Sequence, residues 1–182
     1  IPFFLADFPT LPACPRNLLK KIKKQAEEMG FAPFFSQEFE WFNFKETPAS
    51  IHQKKFNNPE TLTRGMLGYS ILRSSYHSQE RKSDNENRNA GGTNFFNDLF
   101  DQLTAFNIPI EGIHTETGPG VYEAAIMYSE ILEAADRATL FKTAVKEIAY
   151  RHNIIASFMA KWNAKLPGCG GHVHQSLWDI EK

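Results

Sequence analysis

The chain has 182 residues, 42% of them apolar, and a formal charge of −1: enough length for one domain with a core of its own, and no charge excess that would recruit nucleic acid or an anionic membrane. No apolar run reaches the roughly 18 residues of a membrane-spanning helix, and the apolar start Ile1-Pro2-Phe3-Phe4-Leu5 is short and lacks the basic region of a signal peptide. Cys14 and Cys169 are far apart in sequence, which excludes a CxxC metal site and reads as reduced thiols of a cytoplasmic protein.

In chain order, residues 16–29 place Leu18, Leu19, Ile22, Ala26 and Met29 on one helical stripe, with Lys20, Lys21, Lys23 and Lys24 on other faces and Gly30 as the stop. The lysines read as a solvated face rather than a phosphate patch. Residues 33–44 form an aromatic-rich strand. Residues 45–64, with Pro48, Asn57, Asn58 and Pro59, read as a long loop, and 79–94 as a polar loop ending in Ala90-Gly91-Gly92. Phe95, Phe96, Leu99, Phe100, Leu103 and Phe106 share a helical face over 95–106. Strands follow at 109–116 and 121–128, joined by Gly118-Pro119-Gly120. A helix over 136–152 turns Phe141, Ala144, Val145, Ile148 and Ala149 inward, and strands at 154–161 and 171–177 close the series. The order has no regular βαβ rhythm and no repeat, which predicts an α+β fold.

Segments from separate parts of the chain carry the candidate chemistry. Glu38 and Glu40 lie at i and i+2 of a strand and so point to one face. Like charges that close raise each other's pKa and call for a cation; the bland alternative is a solvent-facing polar edge. In 109–123, His114 and Glu116 share a face, and the Gly118-Pro119-Gly120 turn returns Glu123 towards Glu116. Glu111 falls on the opposite face of an ideal strand, so either Gly112 marks a bulge or Glu111 serves a different site. The competing reading is a salt-bridged hairpin. In 161–176, His172, His174 and Ser176 alternate along a strand after Gly168, Gly170 and Gly171, which permit close approach of backbone to a phosphate or substrate. Carboxylates with imidazoles suit Mg²⁺ or Mn²⁺. A glycosidase-like acid–base pair would leave both histidines and several acids without roles, and an unrelated metal-dependent hydrolase would make the joint occurrence of the segments an accident.

Taken together, Glu38-Phe39-Glu40, the run from His114 to Glu123, and Lys161 through His172-Val173-His174-Gln175-Ser176 resemble the metal and nucleotide motifs of the glutamine synthetase family, over roughly Phe8 to Trp178. The resemblance is to its type I-like branch, with lengsin-like and γ-glutamyl-polyamine synthetase-like members. It implies a curved, mainly antiparallel sheet with flanking helices. It implies that Glu40, Glu116 and Glu123 hold one Mg²⁺ or Mn²⁺ and that Glu38 and His172 hold a second. Glu111, Tyr128, His174 and Ser176 would line the ATP pocket; Gly168, Gly170 and His114 would face the amino-acid substrate. The implied reaction joins glutamate to ammonia through a γ-glutamyl phosphate, in a homo-oligomeric ring. A ligase for a polyamine or other amine, or a non-catalytic lengsin-like protein, are the alternatives. Pro167, Trp162 and Cys169 depart from residues usual in the family. The family's chain is longer, so residues 1–182 are expected to be one partial catalytic domain, without the β-grasp domain and the C-terminal part, and with no catalytic residue of its own.

Overall fold

Strand β1 (Phe31–Phe44) is the axis of the molecule. The computed structural model describes residues 13–63 and 93–180; most of the polar loop expected at 79–94 lies outside the described residues. Around β1 the elements run α1 (Pro15–Glu28), α2 (Pro48–Gln53), α3 (Thr93–Ala105), β2 (Ile110–Thr115), β3 (Val121–Ile126), β4 (Ser129–Glu130), α4 (Ile131–Arg151), β5 (Ile155–Ser157) and β6 (Gly171–Asp179). One six-stranded sheet results. β1 pairs with β3, β4, β5 and β6, and β2 pairs with β3, every pair antiparallel. The α+β fold is therefore the one expected.

Alternation along β1 separates two faces. Phe39 and Trp41 turn to the back with Ile113, Tyr122, Ala124 and Ile126. Phe95, Leu99 and Leu103 of α3 and Phe141, Val145 and Ile148 of α4 close over them as the main core. Residues of the other parity face forward, where a small apolar cluster of Phe42, Phe44 and Val121, with Ile155, Trp162 and Cys169 against it, closes one end.

Several elements differ from expectation. The stretch read as loop contains α2: Thr47 caps it by accepting from the Ser50 N–H while Ser50 Oγ accepts from the Thr47 N–H, and Pro48 occupies the first turn, where a missing N–H costs nothing. α4 begins at Ile131 rather than 136, because the Glu130 carboxylate accepts from the Leu132 N–H and caps it there. The strand expected at 154–161 ends at Ser157; the chain then turns so that Cys169 N–H bonds back to the Ala160 carbonyl. Phe106 falls just past α3, where Asn107 takes φ +59°, and its ring is 64% exposed instead of inward. On α1 the apolar stripe is largely exposed; the face that packs is half-buried Arg16, Leu19, Lys23 and Ala26. Polar tethers hold it, Arg16 donating twice to Asp136 and Lys23 pairing with Glu130. Gly30, at φ +88°, ends the helix as expected. No helix among the described residues is long and apolar enough to cross a membrane.

Candidate metal and nucleotide site

The forward face is set by register. Glu40 stands opposite Glu123, and Glu123 opposite His114. On the other side of β1, Glu38 stands opposite His172, Ser36 opposite His174, and Phe34 opposite Ser176. Paired residues point to the same face, so residues far apart in sequence meet without help from any loop.

Glu116 arrives through the turn between β2 and β3. Its N–H bonds the Val121 carbonyl, and Gly120, at φ +73°, passes so close to the Asn43 carbonyl that a Cβ there would lie 2.8 Å from it. The result is a cluster in which His114, Glu116 and Glu123 each offer a ligand atom within 4.8 Å of the others. The His114 ring lies between the two acids, Nδ1 at 3.4 Å from Glu116 and Nε2 at 3.4 Å from Glu123. Burial pushes the Glu123 carboxyl above its ordinary value, and the charges of Glu38, Glu116 and Glu40 push the same way, against a partial offset from His114.

Glu38 is placed differently. The His174 ring bonds its Oε2 at 2.9 Å, while His172 Nδ1 is 3.5 Å from the same oxygen. The His174 hydrogen bond holds the Glu38 carboxyl below its ordinary value despite burial. The loop before β6 presses on this region: a Cβ on Gly170 would lie 2.8 Å from Glu40 Oε1. Gly168 serves the protein's own packing, since a Cβ there would meet the Ala160 carbonyl at 2.4 Å.

At the far end, Phe34 takes edge-on contacts from Tyr128 and Trp178, and the Trp178 indole N–H donates to Ser176 Oγ at 2.9 Å. Of the residues singled out from sequence, Tyr128 and Ser176 thus flank one aromatic patch; the others on this face, apart from Gly168 and Glu111, gather around Glu38, Glu40 and Glu123. Glu111 sits exposed in the bulge between Ile110 and Gly112, one of the two alternatives left open for it. Phe34 and Trp178 are not among the residues singled out from sequence, although the i, i+2 spacing of Ser176 and Trp178 puts both on the forward face. The donor set, carboxylate oxygens with imidazole, fits a hard divalent cation.

The glutamine synthetase catalytic-domain model matches residues 12–182. The chain belongs to the glutamine synthetase family. Type-1 glutamine synthetase 2 of Dictyostelium discoideum is 49% identical over 97% of this chain and 32% of its own length. Glutamate–isopropylamine ligase of a Pseudomonas species is 35% identical over 91% of this chain and 33% of its own. Solved folds agree: ligand-free GmaS superposes with a TM-score of 0.72 at 22% identity, over 96% of this chain and 37% of that one. Plasmodium falciparum glutamine synthetase does so with 0.66 at 23%, over 93% and 35%. The chain spans about a third of the length of the curated relatives it matches.

Proposed function

We propose that the protein acts as an ATP-dependent ligase that joins glutamate to ammonia, with residues 1–182 contributing part of one catalytic domain. The observation that carries this reading is the cluster of His114, Glu116 and Glu123, brought together by β2, β3 and the turn between them, with Glu40 of β1 standing opposite Glu123; there Glu123 is pushed towards its neutral form by burial and by neighbouring acids. Such an arrangement lowers its energy by taking up a divalent cation.

In this reading Glu40, Glu116 and Glu123 hold one Mg²⁺ or Mn²⁺, with His114 between two of them, and Glu38 and His172 hold the other. When bound, the cations neutralise phosphate charge during transfer of the γ-phosphoryl group of ATP to the glutamate γ-carboxylate. Ammonia then attacks the acyl phosphate, releasing phosphate and leaving glutamine. The chain's own residues orient the partners: the Phe34–Tyr128–Trp178 patch offers aromatic surface to the nucleotide near His174 and Ser176, and Gly170 brings backbone against Glu40. We assign the protein to the cytoplasm, on the reading of Cys14 and Cys169 as reduced thiols, and to a homo-oligomeric ring, as the resemblance implies.

A second reading is a ligase for a larger amine. The Pseudomonas relative is named for isopropylamine and another, from an Acinetobacter species, for γ-glutamylanilide. Glutamate-dependent ADP release by the full chain decides between them. Turnover with ammonium supports the first reading; turnover with an alkylamine or arylamine alone replaces it with the second; no metal-dependent turnover with any amine leaves a structural, lengsin-like role.

A further inference from the structure

We infer that His174 is a positioning residue for the Glu38 carboxylate: it, rather than His172, orients that carboxylate towards a divalent cation before any nucleotide is present. The inference rests on the ligase reading only for the presence of a cation at Glu38.

The backbone register makes the contact a diagonal one. His172 stands directly opposite Glu38, and His174 stands opposite Ser36. Long side chains on one sheet face reach their diagonal neighbours, and His174 does so, with Nε2 at 2.9 Å from Glu38 Oε2. Ser36, directly opposite His174, turns its hydroxyl to the Ile126 carbonyl, to which it donates at 2.6 Å. The directly opposed His172 stays at 3.5 Å, beyond good hydrogen-bond length. His172 thus holds Glu38 only loosely, through Nδ1, while His174 commits Nε2 to it.

A carboxylate has two oxygens and about four lone-pair directions. One oxygen fixed by an N–H donor leaves the other to face a cation in a set orientation, which is how outer-shell partners raise metal affinity. The side chains agree with this division: that of Glu38 is 26% exposed and that of His174 is 62% exposed, so the pair sits at the mouth of the site and not in the core.

Mn²⁺ binding without nucleotide tests this, read on the full chain by calorimetry and by the free-Mn²⁺ paramagnetic resonance signal. Omitting nucleotide removes any direct contact of His174 with phosphate from the measurement. His174→Ala is expected to weaken binding at the Glu38 site by about 10- to 100-fold, the range for loss of an outer-shell partner. His174→Gln, which keeps an N–H donor near the Nε2 position, is expected to restore most of it. The melting temperature should stay unchanged in both, since the ring is exposed. Affinity for His174→Ala within about twofold of the parent, or a Gln variant as weak as the Ala variant, would overturn the inference. A parent that binds Mn²⁺ and loses it on Glu38→Gln but not on His174→Ala overturns this inference alone. A parent that binds no Mn²⁺ overturns the metal reading as well.

Discussion

Glu46 and Glu123 are both carboxylates drawn out of water, and the protein treats them in opposite ways. Glu46 is 3% exposed. Burial alone would raise its pKa, yet Lys54 Nζ at 2.5 Å, Ser50 Oγ at 2.5 Å and the Glu60 N–H at 2.8 Å outweigh it and press the carboxyl down to about 2. Glu123 is also withdrawn from solvent, its side chain 12% exposed, but its neighbours are other acids and one histidine. No lysine or arginine among the described residues forms an ion pair with it, and its carboxyl is pushed up. The first acid is complete as it stands and fastens α2 and the following segment to the end of β1. The second is left wanting positive charge, which the cation of the proposed function would supply.

The largest expected effect that sharpens this contrast is on metal binding. Glu123→Ala should weaken Mn²⁺ binding by more than about 100-fold, the upper end for an outer-shell residue, while the metal-free melting temperature stays level or rises because repulsion is relieved. Calorimetric titration beside a thermal melt reads both. A fall in stability equal to that of a core variant would mean that Glu123 is a structural acid like Glu46.

Lys54→Ala should do the reverse. It strands Glu46 without its cation and should cost about 3 kcal/mol, the lower end for breaking a buried pair because the Lys54 side chain is itself 41% exposed. Mn²⁺ affinity should not change. Urea unfolding measures the first quantity, and an unchanged midpoint would show that Ser50 and the Glu60 N–H suffice alone.

Glycines give a finer version. Gly168→Ala sets a Cβ against the Ala160 backbone at 2.4 Å and should cost about 1–3 kcal/mol of stability, the range for overpacking. Gly170→Ala meets the movable end of Glu40 at 2.8 Å; it should appear mainly as weaker Mn²⁺ binding with little change in melting temperature.

A pH dependence of opposite sign is expected at the two acids. Glu46, depressed from an ordinary 4.5 to about 2, contributes stability that is fully present above 4.5 and is lost as pH falls from 4.5 towards 2. Glu123 is raised, so its carboxyl favours the folded state when protonated and opposes it increasingly as pH rises through its elevated value. In metal-free protein, the melting-temperature gain of Glu123→Gln over the parent should therefore grow as pH rises above 4.5. A gain that shrinks would reverse the assignment.

The alternation that sets Glu38 and Glu40 on one face, and His172, His174 and Ser176 on another strand's, needs only strand parity, so it was legible in the sequence. So was the return of Glu123 to Glu116 across a glycine turn. Which histidine reaches Glu38 was not legible, because that depends on a diagonal side-chain choice across two strands far apart in the chain. Pro48 reads as a breaker and so hides α2, although Thr47 and Ser50 around it spell a capping box. The exposure of α1's apolar stripe is likewise beyond a periodicity argument, which marks a stripe but not what covers it.

Strand β1 keeps the core on one parity and the acids on the other, and it is bonded on both edges. Gaining or losing a single residue between Phe34 and Phe44 would exchange the two sides, sending Trp41 to solvent and Glu40 into the helices. A change of two residues would restore the sides yet slide Glu38 away from His172 and Glu40 away from Glu123. Descent can therefore rewrite the letters of this strand but not its length; any surviving insertion or deletion between helix α1 and the start of α2 should fall in the connections flanking the strand.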